Sequence, residues 1–180
     1  MPHTESGLSA TCQFIYVGDN MNRAIFFDRD GVLNEEVGYL YEIEKFKWTA
    51  GAIQAIKFCN DKNILAIVVT NQSGIARGFY TADDVKNLHD YMQAELKKFD
   101  AHIDAFYYCP HYPDNVCDCR KPKPGMILQA AKDFDIDLKE SYLIGDSQRD
   151  IESGKNAGLR GEILFLSGNL FEVVKNLWEK

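Results

Sequence analysis

From residue 23 onwards, short apolar segments alternate with longer segments whose apolar residues recur at helical spacing. The apolar segments predict five strands, at 24–28, 64–70, 104–109, 142–146 and 162–166. The segments between and after them predict five helices, at 50–61, 81–99, 124–134, 148–157 and 170–179. Regular alternation, with strands that are apolar on both faces, indicates an α/β fold: a doubly wound parallel sheet covered by helices on both sides.

The length of the chain fits a single domain with a substantial core, because 46% of its 180 residues are hydrophobic. We assign residues 23–180 to this domain. Residues 1–22 are a predicted N-terminal extension that is either disordered or adds an edge strand through CQFIYVG at 12–18. Because no motif residue lies in this extension, we expect a chain that begins at Met21 to keep full activity.

The charge and hydropathy of the chain exclude several classes of function. A net charge of −7 and a pI of about 5.1 argue against a nucleic-acid partner, which needs a basic surface. No apolar run reaches the roughly 18 residues of a membrane span, and the first residues lack the pattern of a secretory signal. We therefore expect a cytoplasmic protein with reduced thiols and no membrane partner. A monomer is also expected, and the sequence shows no obvious protein partner.

Polar and charged residues follow the predicted strands at the edge where a parallel sheet binds its ligands. Taken singly, such residues are ordinary helix caps, turn formers or solvated loop residues. Together they bring carboxylates that suit Mg²⁺, groups that suit phosphate oxygens, and a potential aspartate nucleophile to one crevice, which favours phosphoryl transfer. These residues are Asp28, Asp30, Thr70, Asn71, Ser73, Arg120, Lys121, Asp146 and Asp150.

A cysteine-rich stretch lies between the third and fourth predicted strands. Its pattern, C-x-H-x5-C-x-C, places three thiols and one imidazole at spacings that fit a structural, tetrahedral Zn²⁺ site. A disulfide or a chance pattern is the alternative, although a reducing compartment disfavours the disulfide. Because Arg120 and Lys121 follow directly, we expect Zn²⁺ to stiffen the loop that carries these cations. The predicted ligands are Cys109, His111, Cys117 and Cys119.

Four short motifs occur in order along the chain and converge on the predicted crevice. They are DRDGVLN at 28–34, TNQSG at 70–74, a lysine before a proline at 121–122, and GDSQRD at 145–150. In this combination the chain resembles the phosphatases of the haloacid dehalogenase superfamily. The resemblance implies a Rossmann-like fold without a large cap domain, a catalytic Mg²⁺ and an aspartyl-phosphate intermediate.

The same resemblance implies a role for each motif residue. Asp28 would attack phosphorus, and Asp30 would protonate the leaving alkoxide and then activate the hydrolytic water. Thr70 and Lys121 would bind the transferring phosphoryl group. Asp28, the backbone carbonyl of Asp30, and Asp146 would hold Mg²⁺. Because neighbouring carboxylates repel each other, we expect Mg²⁺ and Lys121 to offset the charge of Asp28, and Asp30 to hold a proton in the resting site.

Longer stretches resemble one family of this superfamily, the D-glycero-D-manno-heptose-1,7-bisphosphate 7-phosphatases. They are GYLYEIEKF, VVTNQSGIARG, YYCPH and CDCRKPKPGM, and the match covers about residues 23–160. The resemblance implies removal of the 7-phosphate from a phosphorylated sugar, on the route to nucleotide-heptose for lipopolysaccharide and other surface polysaccharides. Arg120 would read the distal phosphate. The implied substrate contacts are Glu36, Val37, Gly38, Tyr39, Thr70, Asn71, Gln72, Ser73, Arg120 and Lys121.

Two features depart from the family pattern. Only five residues separate His111 from Cys117, as in the related histidinol-phosphate phosphatases, and this leaves a second substrate open. Ser147 stands where many heptose enzymes carry a lysine that contacts substrate, and this leaves the distal-phosphate contact and the preferred sugar anomer open. The runs SGIARG and KPKPGM favour the heptose branch. A phosphoacceptor receiver domain is an alternative from another class, but the aspartate at Asp30 and the cysteine-rich stretch do not fit it.

Overall fold

The computed structural model describes residues 21–179, and residues 1–20 of the predicted extension lie outside that range. All five predicted strands and all five predicted helices are confirmed, with bounds that move by at most two residues. The strands are β1 (Ala24–Phe27), β2 (Leu65–Asn71), β3 (Ala105–Cys109), β4 (Tyr142–Gly145) and β5 (Gly161–Leu164). The helices are α1 (Ala52–Asp61), α2 (Ala82–Lys97), α3 (Gly125–Asp133), α4 (Gln148–Ala157) and α5 (Leu170–Trp178).

The five strands form one parallel sheet in the order β3-β2-β1-β4-β5. Strand β1 is the central strand, and all four of its residues are fully buried. Its neighbours come from opposite halves of the chain, because Ile25 pairs with both Ala66 of β2 and Tyr142 of β4. The connections therefore diverge at β1, and a crevice opens at the carboxyl ends of β1, β2 and β4.

Helices cover both faces of the sheet and divide the core into two apolar clusters. Ile25 and Phe27 of β1 face α1, α2 and α5, whereas Ala24 and Phe26 face α3 and the end of α4. This alternation along a single strand confirms the doubly wound arrangement, since successive side chains of a strand point to opposite faces. No helix within residues 21–179 is both long enough and apolar enough to span a membrane.

The folded part of the chain includes Asn22. Its backbone N–H donates to the carbonyl of Asp135 at 2.8 Å, and its carbonyl accepts from the N–H of Asp137 at 2.8 Å. The segment before β1 is thus attached to the turn that precedes β4. The possible strand at 12–18 lies outside the described residues.

Candidate active site

A cavity of about 360 Å³ lies at the carboxyl ends of the central strands. Every predicted catalytic, substrate-binding and magnesium-binding residue lines it except Val37, whose side chain is exposed outside the cavity. The predicted residues in its wall are Asp28, Asp30, Glu36, Gly38, Tyr39, Thr70, Asn71, Gln72, Ser73, Arg120, Lys121 and Asp146. The strand-end residues that the sequence singled out therefore do meet in one place.

Lys121 lies at the floor of the cavity between two carboxylates. Its Nζ atom is 3.0 Å from Oδ1 of Asp28 and 2.5 Å from Oδ1 of Asp150, and it donates to the carbonyl of Val69 at 2.8 Å. Burial lowers the pKa of Lys121, but the charges of Asp28 and Asp150 outweigh burial and the pKa rises overall. We call these three side chains the lysine cluster.

The ionised form of Asp28 is disfavoured in the lysine cluster. Its pKa is raised from 3.8 to about 7: burial is the largest cause, the charge of Lys121 opposes it, and the negative charges of Asp150 and Asp30 raise it further. Without a further cation, the cluster thus holds more negative charge than one lysine neutralises. A divalent cation next to Asp28 would restore the balance.

The donor set around Asp28 fits Mg²⁺. Carboxylate oxygens of Asp28, Asp146 and Asp150 lie within 4.8 Å of one another, and hard oxygen ligands are those that Mg²⁺ prefers. Gly31 allows this approach: it has φ of +85°, and a Cβ atom there would lie 2.1 Å from Oδ2 of Asp146. Asp28 and Asp146 are the side chains that would hold the ion.

Asp150 is the third carboxylate of this group, but its oxygens are already engaged. Oδ1 pairs with Lys121, and Oδ2 accepts from both the N–H and the hydroxyl of Ser147, at 3.0 and 2.6 Å. Ser147 and Asp150 thereby form a capping box at the start of α4. Asp150 therefore holds Lys121 in position rather than adding a free ligand.

Asp30 lies in a different environment, which we call the Asp30 clamp. The Nε and Nη2 atoms of the fully buried Arg29 donate to its carboxylate at 2.9–3.2 Å, and Asn34 and Gln72 each donate to it at 3.0 Å. Burial raises the pKa of Asp30, but the charge and hydrogen bonds of Arg29, with those of Asn34 and Gln72, outweigh burial and the pKa is lowered. The expectation that Asp30 holds a proton in the resting site is therefore wrong: its donors favour the carboxylate.

A hydrogen-bonded bridge connects the clamp to the end of β2. The buried amide of Gln72 donates to Oγ1 of Thr70 at 2.9 Å as well as to Asp30, and its oxygen accepts from the hydroxyl of Tyr80 at 2.6 Å. Gln72 was predicted to contact substrate, but its amide is engaged within the protein. The side chain of Asn71 accepts a hydrogen bond from the backbone N–H of Lys121 at 3.1 Å and donates one to its carbonyl at 3.2 Å. These bonds connect the end of β2 to the loop that carries Lys121.

Three arginines line the mouth of the cavity: Arg77, Arg120 and Arg149. Within residues 21–179, no carboxylate lies within 4.0 Å of the charged nitrogens of Arg77 or Arg120. The guanidinium of Arg77 lies over the ring of Tyr112 at 4.5 Å and near that of Tyr39 at 5.9 Å. The mouth therefore presents positive charge that is available to an anion.

The predicted zinc ligands converge in the loop after β3, which we call the cysteine loop. Sγ of Cys109 is 3.8 Å from Sγ of Cys117 and 3.5 Å from Nδ1 of His111, which is 3.2 Å from Sγ of Cys119. All three thiols are free, so the disulfide alternative is wrong. Two thiolates about 2.3 Å from one tetrahedral Zn²⁺ lie about 3.8 Å apart, and the observed spacing fits such an ion.

The chain is similar to enzymes of one named activity. Residues 118–172 match the family model described as "HAD-hyrolase-like". The D-glycero-beta-D-manno-heptose-1,7-bisphosphate 7-phosphatase of Pasteurella multocida is 42% identical over 154 residues, which cover 82% of this chain and 84% of the relative. The D-glycero-alpha-D-manno-heptose-1,7-bisphosphate 7-phosphatase of Campylobacter jejuni is 43% identical over 162 residues, covering 87% and 92%.

The fold agrees with this relationship. The structure of D,D-heptose 1,7-bisphosphate phosphatase from B. bronchiseptica, complexed with magnesium and phosphate, matches with a TM-score of 0.75 and 29% identity, over 87% of this chain and 98% of that chain. The similarity of sequence and of fold thus covers most of this chain and most of each of these three relatives. The chain belongs to the D-glycero-D-manno-heptose-1,7-bisphosphate 7-phosphatase family of the haloacid dehalogenase superfamily.

Proposed function

We propose that this protein is a magnesium-dependent phosphatase that removes the 7-phosphate of D-glycero-D-manno-heptose 1,7-bisphosphate through an aspartyl-phosphate intermediate. The main structural support is that the two aspartates have different partners. Asp28 pairs with Lys121, whereas Asp30 is held by the Asp30 clamp. Two carboxylates in different environments suit two chemical roles, a nucleophile and an acid–base group. Membership of the heptose bisphosphate phosphatase family supports this assignment.

In the first step, an oxygen of Asp28 forms a bond to phosphorus and the ester bond to the sugar breaks. Asp30 gives a proton to the leaving alkoxide, so that the dephosphorylated sugar departs as an alcohol. Since Asp30 is ionised at rest, the proton must be taken up with the substrate. The charge of an arriving phosphate raises the pKa of Asp30 and favours this uptake.

In the second step, Asp30 removes a proton from water, and the resulting hydroxide attacks the phosphorus of the aspartyl-phosphate. The bond to Asp28 breaks and inorganic phosphate leaves. Lys121 and Thr70 hold the phosphoryl oxygens during both steps. When bound by Asp28, Asp146 and the carbonyl of Asp30, Mg²⁺ supplies charge neutralisation at those oxygens.

We assign the unreacting phosphate to the mouth of the cavity. Arg120 projects there without a carboxylate partner among the described residues, and its planar fork matches phosphate oxygens. Arg77 offers a second guanidinium on the same side. Ser147 replaces a cation that many heptose enzymes carry, so these arginines take a larger share of the contact.

The cysteine loop is proposed to hold one structural Zn²⁺ per chain. Its four ligands leave no position for substrate, and Arg120 and Lys121 follow directly. Elemental analysis of the purified protein should find about one zinc per chain. Cys117→Ser should lower the melting temperature, because zinc binding is coupled to loop folding. Protein without zinc, or a wild-type melting temperature in the variant, would contradict this role.

Histidinol phosphate is the second candidate substrate, because of the short spacing between His111 and Cys117. Phosphate release should be measured from both anomers of heptose 1,7-bisphosphate and from histidinol phosphate, with Mg²⁺ present. We expect the largest kcat/KM for a heptose bisphosphate, with the 1-phosphate retained in the product. A larger value for histidinol phosphate would overturn the assignment. Cytoplasmic location and the monomeric state remain predictions.

A further inference from the structure

Helix α2 carries one polar side chain on its buried face. Val85, Leu88, Met92 and Leu96 are the apolar members of that face, and His89 lies among them with 6% of its surface exposed. Its ring stacks on Phe106 of β3, with centroids 4.2 Å apart and planes 16° from parallel. An apolar residue could fill this position, so a buried histidine calls for a specific polar contact.

That contact is Arg29. The guanidinium of Arg29 is anchored on three sides: by the carboxylate of Asp30, by the carbonyl of Leu40 at 2.9 Å, and by Nε2 of His89, 3.4 Å from Nη1. Arginine has only donors, so Nε2 of His89 must be the acceptor and the ring must be neutral, with its proton on Nδ1. Burial and the charge of Arg29 lower the pKa of His89 to about 3, although Asp30 and Asp90 oppose this.

We propose that His89 is a positioning residue for the phosphatase reaction, acting through Arg29 on the orientation of the Asp30 carboxylate. This inference rests on the acid–base role of Asp30 in the proposed function. Nε and Nη2 of Arg29 are held by Asp30 and Leu40, whereas His89 is the one partner of Nη1 among the described residues. If the bond to His89 is lost, Nη1 has no partner and the guanidinium can tilt within the clamp, which shifts the carboxylate that it holds relative to the leaving oxygen, where small displacements are costly.

Two substitutions separate this role from simple core packing. His89→Phe keeps a flat ring against Phe106 and removes the acceptor, whereas His89→Gln loses the ring and keeps an oxygen near the position of Nε2. We expect His89→Phe to lower kcat about ten-fold with KM nearly unchanged, and to melt moderately below wild type, because the ring packing is kept but Nη1 of the buried Arg29 loses its acceptor. We expect His89→Gln to melt lower but to keep most of kcat. A packing role predicts the reverse order of activities.

A double-mutant cycle then tests the route through Arg29. In an Arg29→Lys background, adding His89→Phe should change kcat by less than about two-fold, because the guanidinium that transmits the effect is absent. Full additivity of the two losses would overturn the proposal, as would a kcat that follows melting temperature across the His89 variants. If the Arg29 variant does not fold, the comparison of His89→Phe with His89→Gln still decides. Wild-type turnover of heptose bisphosphate separately tests the proposed function.

Discussion

The lysine cluster and the Asp30 clamp lie side by side, yet they treat their carboxylates in opposite ways. Asp28 is buried among like charges, and its pKa rises to about 7. Asp30 is gripped by Arg29 and two amides, and its pKa falls. The two aspartates are only two positions apart, so the difference comes from partners that the fold supplies. The local motif provides the carboxylates, and residues from distant segments decide how each one behaves.

The largest expected effect comes from the lysine cluster. Asp28→Asn should reduce kcat by at least about 10⁴-fold, because an amide oxygen is too weak a nucleophile to form the phosphoryl-enzyme. Steady-state phosphate release measures the rate, and acid-quenched protein should show no trapped phosphate. Substrate binding to the folded variant is the control. If Asp28→Asn turned over near the wild-type rate, Asp28 would not be the nucleophile, and the proposed division of roles between Asp28 and Asp30 would be wrong.

Asp30→Asn should have a smaller but still large effect, roughly 10²- to 10⁴-fold on kcat. Both half-reactions slow, because one group serves as acid and then as base, but Asp28 can still be phosphorylated. Rapid-quench experiments should therefore trap phosphate on this variant, in contrast with Asp28→Asn. Failure to detect it while kcat falls would indicate that the first step depends on Asp30 more strongly than the second.

Arg120→Ala tests whether the mouth of the cavity binds the distal phosphate separately from the reaction at Asp28 and Asp30. Losing a charge-assisted contact to the distal phosphate should lower kcat/KM for the bisphosphate about ten- to a hundred-fold. A monophosphate without the distal group should lose much less. An equal loss on the two substrates would place Arg120 at the reacting phosphate or in support of the cysteine loop.

A comparison of stability is the most direct comparison of the two regions, because it needs no substrate. In magnesium-free buffer without chelator at pH 7.5, Asp28→Asn should raise the melting temperature and Asp30→Asn should lower it. The first removes a carboxylate that the fold disfavours, and the second leaves the buried Arg29 without its counter-ion, at a cost of roughly 3 kcal/mol.

The pH dependence of this stability difference has a defined sign. The pKa of Asp28 is raised from 3.8 to about 7, so the folded protein binds the proton more tightly than the unfolded chain does. The contribution of Asp28 to stability therefore falls as the pH rises through that window. Thermal melts from pH 4 to pH 7.5 should show the advantage of Asp28→Asn growing over this range. A constant difference would mean that Asp28 titrates normally.

Much of the fold and of the site could be predicted because the relevant signals are local. Apolar runs and helical spacing define the strands and helices, and motif residues such as Asp28 and Lys121 follow strand ends whose position in a parallel sheet is fixed by topology. The direction of side chains at those ends is not local. Arg29 reads as a solvated residue between two acids, but it turns inward and is fully buried.

The same reason accounts for the residues that the sequence did not single out. Tyr80 and His89 lie before and on α2 with no motif of their own. Tyr80 lines the cavity and donates to Gln72, whereas His89 reaches the site through Arg29. Arg77 was visible within the SGIARG run but carried no distinguishing pattern. Val37 lies in the predicted substrate loop, yet its exposed side chain does not line the cavity. Contacts with distant segments place Tyr80, His89 and Arg77, none of which a local pattern marks.

The central position of β1 also has a consequence for the folding of the enzyme. Ile25 cannot complete its pairing until Tyr142 has joined the sheet, and the parallel connection between them closes a loop that contains most of the chain. Such non-local pairing slows folding. Asp28 and Asp146 follow the ends of these two strands, so the two carboxylates cannot meet before β1 and β4 have paired. A chain in which β4 has not joined the sheet therefore lacks the complete set of magnesium ligands.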